Sequence, residues 1–549
     1  MRGTTWDRRV IILFLALAAA ASVLFPWLLM ATSADDMEAS ESPLVMAAAR
    51  QLSAPGALYG AYARGHHLVL IHAPLYYRLT AAVAWVVNGF WGDALGSTLV
   101  VGRSLSGLGF AGILVGLYRL ARLDGAGRLA GIASALFFAA APIQGGLAFE
   151  VRPDMFGSAL VFLGLSLGLE GGVRGSTGRS RVEVGFAILG LAVCVKQQNL
   201  VVVVAAATGL AVIGREFRRR AAVGLATAIG LVALILGVEE WLSGGLMSRS
   251  IVVAAASVGR VHPATWWMSV NLLLAMVWKN VGPILITTAL ALGVSRARDR
   301  MVGRFAGGLV IVLSVLAWLQ MGSASTARGG LLALGLVGLL VLLPILSRRD
   351  GVCSRAGVLD QVVMGLLVVE LVLVAALARA STGAWYNYAI TSDGLACVLA
   401  GRLAGRLLES GTRRGGIALL AAGTAAFAFA ITDVRAVRAR RAAERDASAR
   451  VVERVGRPAS ELYFADRPGD NRVFGARELV FDPWLISVFE AQGLAEPRSE
   501  WLARALERGP ITVVAVAGER TSLEGLARDL PGMGYRVTDR VGIYRVWRR

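Results

Sequence analysis

The chain has 549 residues, of which 56% are hydrophobic, with a mean hydropathy of +0.63 and a formal net charge of +19. This composition excludes a soluble globular protein and predicts a polytopic membrane protein. It also excludes a nucleic-acid-binding protein, because most arginines lie in short turns between apolar segments and no basic run is interleaved with aromatic residues. The three cysteines lack CxxC spacing, which indicates neither a disulfide framework nor a zinc site.

Apolar segments and arginine-rich turns together predict the topology. A spanning helix needs about 20 apolar residues, and short cytoplasmic loops are enriched in lysine and arginine. The first apolar segment follows Arg8 and Arg9 without a clear cleavage site, so it is predicted to be a retained signal anchor. With the N-terminus and the arginine-rich turns inside, about thirteen spans are predicted. They lie near 10–31, 98–118, 129–147, 155–170, 183–195, 200–213, 221–240, 278–294, 305–320, 329–346, 358–378, 389–401 and 415–433.

This topology leaves a long first outer loop, from 32 to 97, whose start is rich in carboxylates. Asp35, Asp36 and Glu41 lie in this acidic stretch. Two apolar segments of the loop, 43–52 and 79–90, are too short to cross a bilayer and are predicted to be helices on the outer membrane surface.

The same topology places the less common polar residues outside, although they were not used to build it. They are His66, His67, His72, His262, Lys196 and Lys279. Two short outer turns, 150–154 and 386–388, are polar as well. The chemistry of the protein is therefore predicted on the extracytoplasmic face.

Each of these groups also has a purely structural explanation. The turn 150–154 is compatible with an ion pair that closes it, and Lys196 with a side chain that snorkels to the interface. The tyrosines of 386–388 suit an aromatic belt. His66 and His67 lack a third ligand at metal spacing, so no zinc site is predicted.

Taken in order, seven short motifs resemble the membrane glycosyltransferases of the GT-C superfamily, in particular the bacterial RgtA/B/C/D-like group. This group is related to the protein O-mannosyltransferases and the aminoarabinose transferase. The motifs are Glu41–Leu52, Gly56–Tyr59, His72–Tyr77, Gly102–Ser106, Arg152–Asp154, Val195–Gln198 and Tyr386–Tyr388. The resemblance covers the first 215 residues well and the later spans loosely.

The resemblance implies an all-α GT-C fold, an outward-facing active site under the first outer loop and a polyprenyl-phosphate-linked sugar as donor. The catalytic carboxylate of the family corresponds to Glu41. Many relatives have an Asp-Glu pair where this chain has Glu41-Ser42, so Asp36 and Asp35 compete with Glu41 for that role. Lys196 matches a lysine that contacts phosphate in the aminoarabinose transferase, and His72 stands where that relative has a lysine near the donor phosphate.

The residue types suit transfer of a sugar from a phosphate. Such a reaction needs a base for the acceptor hydroxyl on one face of the sugar and cations for the departing phosphate on the other. A single displacement predicts inversion at the anomeric carbon. The predicted donor-binding residues are Lys196, Arg152, His72, Gln197 and Arg103, and the predicted substrate-binding residues are Asp154, Tyr76, Tyr386, Asn387 and Tyr388. Asp154 is expected to orient Arg152 or to bind a sugar hydroxyl.

The last part of the chain has a different composition and is predicted to be a small soluble α/β domain. The transmembrane domain is predicted over 1–434 and the soluble domain over 435–549, with strands near 461–464, 511–516 and 535–546 and helices near 484–493 and 498–508. It has no nucleotide-binding fingerprint. The arginines after the last span favour the cytoplasm, whereas the resemblance favours the outer side.

The sequence therefore predicts a multi-pass glycosyltransferase of the inner membrane that acts on the extracytoplasmic face. Its expected partners are a polyprenyl-phosphate sugar, membrane lipids and a glycan, lipid or protein acceptor. No cofactor or metal is expected, although Asp35 and Asp36 have the ligand type of a divalent cation. The alternatives are a transporter or flippase, which would be expected to show paired half-helices in two repeats, and an inactive subunit of a polysaccharide assembly.

Overall fold

The computed structural model describes only part of the chain: 42–53, 56, 58–59, 70, 72–123, 126–139, 150–173, 179–213, 215–254, 359–360, 362–370, 390–409, 443, 446–457, 461–464, 506, 511–517, 528–541 and 544–549. The predicted spans near 10–31, 278–294, 305–320, 329–346 and 415–433 lie outside these residues, as do the predicted helices near 484–493 and nearly all of 498–508. The count of thirteen spans and the domain boundary at 434 thus stay predictions.

The described part of the chain is mostly helical. Its main helices are α1 (Ser42–Ser53), α2 (Leu75–Trp91), α3 (Ala94–Ala121), α4 (Arg128–Ala139), α5 (Pro153–Val173), α6 (Arg179–Val195), α7 (Leu200–Ile213), α8 (Arg215–Leu242), α9 (362–370) and α10 (Ile390–Glu409). Helices therefore lie at all the predicted spans that fall on described residues.

Three segments within these helices are long and apolar enough to cross a membrane: Ala94–Ala121, Pro153–Gly171 and Phe217–Leu242. They differ in position within the bundle, since the most apolar part of Pro153–Gly171 is 78% buried and that of Phe217–Leu242 only 17%. The exposed side of α8 carries large apolar side chains such as Ile229, Leu234 and Trp241. This side suits lipid contact, and α5 lies at the centre of the bundle.

Helices α3 and α5 pack closely because glycines line their interface. A Cβ atom at Gly109 would lie 2.7 Å from the backbone of Met155 and Phe156, and one at Gly116 would lie 2.6 Å from the Cβ of Phe162. Small residues let two membrane helices approach until their backbones nearly touch. This contact fixes the start of α5, which carries Asp154, against the middle of α3.

The change Gly109→Ala is expected to destabilise the protein by about 1–3 kcal/mol, because the added methyl group forces α3 and α5 apart. Gly230→Ala in α8 is the matched control, since no atom lies within 4 Å of its would-be Cβ. Both changes raise helix propensity equally. Thermal unfolding of the purified variants in detergent measures the difference, and equal stabilities would contradict the close packing.

The two ends of the bundle carry separate ion-pair clusters. At one end, Glu170 accepts from Arg119 at 2.9 Å and from Arg181 at 2.7 Å. At the same end, Arg402 is fully buried, pairs with Asp360 and donates to the carbonyl oxygens that end α3. The topology predicts this end to be inside.

The two helices of the first outer loop lie where the sequence predicted them. One side of α2 is buried and includes Tyr76, Tyr77 and Ala84. The other side exposes Val83, Trp85, Val86, Phe90 and Trp91. Such a stripe suits the surface of a bilayer, and that location remains a prediction. Helix α2 ends at Gly92, whose φ of 67° favours glycine, and Asp93 then caps α3 through the amide of Gly96 at 3.0 Å.

The last part of the described chain contains a four-stranded sheet. The strands β1 (Leu462–Phe464), β2 (Val513–Ala517), β3 (Arg536–Val541) and β4 (Tyr544–Arg548) have the order β1-β2-β4-β3. The pair β1–β2 is parallel and the other two pairs are antiparallel. A helix at 446–455 packs on one face through Val451 and Val455. The strands β1 and β2 agree with those predicted near 461–464 and 511–516, whereas the single strand predicted near 535–546 is divided into the antiparallel strands β3 and β4.

Candidate functional site

A short segment of the first outer loop, directly before α2, is fixed against the bundle by hydrogen bonds. The hydroxyl of Tyr59 donates to the carbonyl oxygen of His72 at 2.6 Å, and the amide of Ala73 donates to Oε1 of Gln197 at 3.2 Å. Gln197 directly follows Lys196 in the break between α6 and α7. The segment at 72–73 is therefore held beside this break.

Helix α2 is attached to α3 and α5 by a buried tyrosine. The hydroxyl of Tyr76 lies 2.9 Å from the carbonyl oxygen of Gly102 and 3.3 Å from Oγ of Ser106. Ser106 in turn lies 3.2 Å from the carbonyl oxygen and 3.4 Å from the amide of Arg152. Tyr76, which was predicted to bind substrate, thus uses its hydroxyl within the protein and ties the first outer loop to the turn that carries Arg152.

An arginine joins both helices of the loop to α8. Arg78 donates to the two carboxylate oxygens of Glu239 at 3.2 and 2.8 Å, a bidentate arrangement, and to Oε1 of Gln51 in α1 at 2.7 Å. Sequence reasoning missed this connection. A bidentate pair fixes direction as well as distance, so it holds α2 in a defined orientation against α8, and the bond to Gln51 attaches α1 to α2.

At the centre of the site, Lys196 pairs with Asp154. The ammonium group donates to Oδ1 of the carboxylate, and the two residues are only 5% and 2% exposed. The backbone of Lys196 is extended, with φ −148° and ψ 110°, so α6 ends at Val195. Pro153 starts α5 and places Asp154 in its first turn, where a carboxylate is favoured by the helix dipole. Because its side chain is buried, Lys196 does not snorkel to the membrane surface, and that explanation from the sequence is excluded.

The turn before α5 contains a second ion pair. Nε of Arg152 donates to Oε2 of Glu150, and both side chains are largely buried. The sequence suggested an ion pair within 150–154, and the structure shows it between Glu150 and Arg152, with Asp154 bound to Lys196. Two cations and two carboxylates are thus held at one end of the bundle, opposite the Glu170 cluster.

His72 lies in the field of these charges. Its Nδ1 atom is buried, and no described residue forms a hydrogen bond with it. Burial lowers the pKa of His72 to about 4, with Asp154 acting to raise it and Lys196 and Arg152 acting to lower it. The imidazole is therefore neutral at pH 7 and offers a hydrogen bond but no charge.

The depressed pKa of His72 predicts a pH-dependent stability. The unfolded chain takes up a proton near pH 6.5, whereas the folded protein does so only near pH 4, so stability present above pH 6.5 is lost as the pH falls towards 4. His72→Gln should flatten this dependence. Thermal unfolding of both proteins at several pH values between 4 and 7 checks it, and identical slopes would contradict a buried neutral imidazole.

Glu370 is a buried acid that sequence reasoning missed. It belongs to α9, is 7% exposed and lies within the electrostatic reach of Lys196. A signal was present, because Glu370 interrupts the otherwise apolar run 362–377, and an ionisable residue inside a predicted span is a functional candidate by default.

Several predicted site residues lie outside the described residues: Glu41, Asp35, Asp36, Tyr386, Asn387 and Tyr388. Glu41 directly precedes α1, and Tyr388 lies two positions before α10. Arg103 is half-buried on α3 beside Gly102. The structure thus brings together Lys196, Asp154, Arg152, His72 and Gln197.

Helix α1 is tied to the same site by packing. Its residues Leu44 and Val45 share one apolar cluster with Val151 and Val195, which flank Arg152 and Lys196 in the chain. The described part of the chain contains no group of three His, Cys, Asp or Glu side chains placed to hold a metal ion.

Comparisons with known proteins show the fold. No protein-family model matches the chain, and no curated protein matches it. Among solved structures, the chain is similar to an oligosaccharyltransferase from Archaeoglobus fulgidus solved with Zn and sulfate, with a TM-score of 0.50 and 13% identity over 92% of this chain and 68% of that one. It is also similar to ArnT from Cupriavidus metallidurans bound to undecaprenyl phosphate, with a TM-score of 0.45 and 15% identity over 99% of this chain and 98% of that one. The predicted GT-C fold is confirmed.

Proposed function

We propose that this chain, which has the GT-C fold, is an integral membrane glycosyltransferase. It transfers a sugar from a polyprenyl-phosphate donor to a hydroxyl group of an extracytoplasmic lipid, glycan or protein. The reaction takes place at the end of the bundle that carries Lys196 and Arg152, on the outer face of the inner membrane. The fold shared with an oligosaccharyltransferase supports transfer of a sugar.

The buried Lys196–Asp154 pair is the observation that carries this proposal. An ammonium group taken out of water is costly, and a charge in such a place tends to mark function. Here the pair lies where α6 breaks, beside the loop segment that Gln197 holds. A phosphate that enters this site meets a cation already fixed in position, so little side-chain entropy is lost on binding.

Lys196 and Arg152 bind the donor phosphate in this proposal. Each cation has a carboxylate partner, Asp154 and Glu150 respectively, which keeps it in place before the donor arrives. Lysine contributes a point charge, and arginine offers two parallel donors. Gln197 and Arg103 support the same phosphate, and the neutral His72 contributes a hydrogen bond from its free ring nitrogen.

The transfer is a single displacement. Glu41 takes the proton of the acceptor hydroxyl, whose oxygen forms a bond to C1 of the sugar. The bond between C1 and the phosphate oxygen breaks, and its electron pair leaves with the polyprenyl phosphate, whose charge the two cations neutralise. Attack opposite the leaving group inverts the anomeric carbon. Asp36 and Asp35 are the alternative bases, and Tyr386, Asn387 and Tyr388 contribute to sugar and acceptor binding, whereas Asp154 holds Lys196 in place.

Transfer in proteoliposomes tests the function. The purified protein is incubated with undecaprenyl-phosphate-linked mannose, glucose or galactose and a mixture of cell-envelope lipids and glycans, and release of undecaprenyl phosphate is measured. Release that needs both acceptor and Lys196 supports a transferase. Movement of the intact donor across the bilayer without release would support a flippase in its place.

A further inference from the structure

Glu370 points into the bundle. Helix α9 buries Val362, Val363, Leu366 and Leu367, and Glu370 takes the next position on this inward side. The adjacent residues Val368 and Val369 are exposed on the other side of the helix. A glutamate that avoids the apolar interior would lie on that exposed side or near an end of the span. Glu370 therefore occupies an inward position that apolar residues take in the preceding turns.

The carboxylate of Glu370 has no hydrogen-bond or ion-pair partner among the described residues. None of the described residues donates a hydrogen bond to it or forms an ion pair with it, and the charge of Lys196 acts on it from a distance. A buried carboxylate without partners costs several kcal/mol. The other buried glutamates of the described residues, Glu150, Glu170 and Glu239, are 5–8% exposed, and each pairs with at least one arginine. Unlike these glutamates, Glu370 is therefore placed to pair with a group that is not among the described residues.

Glu370 lies near the level of the proposed donor site. Helix α9 starts at the end where Asp360 pairs with Arg402, and it packs against α7, because a Cβ atom at Gly209 would lie 3.1 Å from Val362. Gly209 lies about 20 Å along the bundle from Lys196, and Glu370 lies about 12 Å back from Val362 towards Lys196, at a rise of about 1.5 Å per residue. Glu370 is thus about 8 Å deeper in the bundle than Lys196, a separation over which the two charges still interact.

We propose that Glu370 is a specificity residue that accepts hydrogen bonds from hydroxyl groups of the donor sugar. This inference rests on the proposed function of the Lys196 site. The oxygens of a carboxyl group accept hydrogen bonds from hydroxyl groups, so the part of the donor that suits Glu370 is the polyhydroxyl ring beside the phosphate. Its two oxygens can receive two neighbouring hydroxyl groups, which makes recognition depend on sugar configuration.

Binding measurements with the protein in lipid nanodiscs separate the sugar from the phosphate. The probes are sugar-free undecaprenyl phosphate and undecaprenyl phosphate linked to mannose, glucose or galactose. In the wild type, at least one sugar-linked probe is expected to bind more tightly than the sugar-free one. Glu370→Leu should lose this gain, a change of about 10-fold, and should bind the sugar-free probe as tightly as before or more so. Glu370→Gln keeps part of the gain because an amide oxygen still accepts a hydrogen bond.

Glu170→Gln is the matched control, since it makes the same chemical change at the opposite end of the bundle and should leave the ratio of affinities unchanged. Thermal unfolding verifies that each variant is folded. If Glu370→Leu does not fold, the comparison is made with Glu370→Gln. An unchanged ratio in the Glu370 variants, or equal affinities of the wild type for all probes, would overturn the inference. A Glu370 variant that also loses the sugar-free probe would overturn it too, because the residue would then support the phosphate site. Failure of Lys196→Ala to weaken binding of the sugar-free probe refutes the donor site itself, independently of Glu370.

Discussion

Lys196→Met is expected to abolish donor binding and transfer and also to destabilise the protein. Methionine has a similar length and no charge, so the change removes the cation and leaves Asp154 buried at 2% exposure without its partner. Breaking one half of a buried pair costs about 3–5 kcal/mol, most of which is the penalty for the remaining charge. Transfer is expected to fall by about 100-fold or more, because the leaving phosphate loses its fixed counter-charge.

The double variant Lys196→Met with Asp154→Asn separates the two effects. The asparagine is nearly the size of aspartate and carries no charge, so the double variant should recover most of the lost stability. It should not recover binding of undecaprenyl phosphate, since the cation is still absent. Thermal unfolding and binding are measured on the same samples. If the double variant regained both properties, Lys196 would have only a structural role.

The helical organisation of the chain could be predicted because its signals are local. Apolar length and flanking arginines suffice to predict α3, α5 and α8, and Gly92 with Asp93 marks the boundary between α2 and α3. The motifs around Lys196 and Arg152 could be grouped only through their resemblance to a family. Their arrangement in space depends on how α5 and α6 pack against each other, and this packing cannot be predicted from a single sequence.

The partners of the charged residues were harder to predict. Glu239 lies 161 positions from Arg78 in the chain, and Asp154 lies 42 positions from Lys196. Glu370 was missed because it matches none of the family's motifs, although a charge within the apolar run 362–377 is itself a signal. Glu370 became a candidate because its side chain lies on the buried side of α9. The sequence alone does not show which side of a helix is buried.

Glu41→Gln is expected to lower the rate of transfer by about 100- to 10,000-fold while donor binding and thermal stability stay close to those of the wild type. The amide has the same shape as the carboxylate and cannot take the proton of the acceptor hydroxyl. Glu41 precedes α1 by one residue, and α1 is held by the Arg78–Gln51 bond and by the apolar cluster that includes Val151 and Val195. The start of α1 is therefore attached to the elements that carry Arg152 and Lys196, which is where a base is needed.

Asp36→Asn is the matched comparison, because it removes a carboxylate from the same acidic stretch five positions earlier. Single-turnover transfer and equilibrium binding of an undecaprenyl-phosphate sugar distinguish chemistry from binding. Full activity in Glu41→Gln together with a loss in Asp36→Asn would assign the base to Asp36. Full activity in both variants and in Asp35→Asn would mean that none of these three carboxylates is the base, and the proton would then have to be taken by another group.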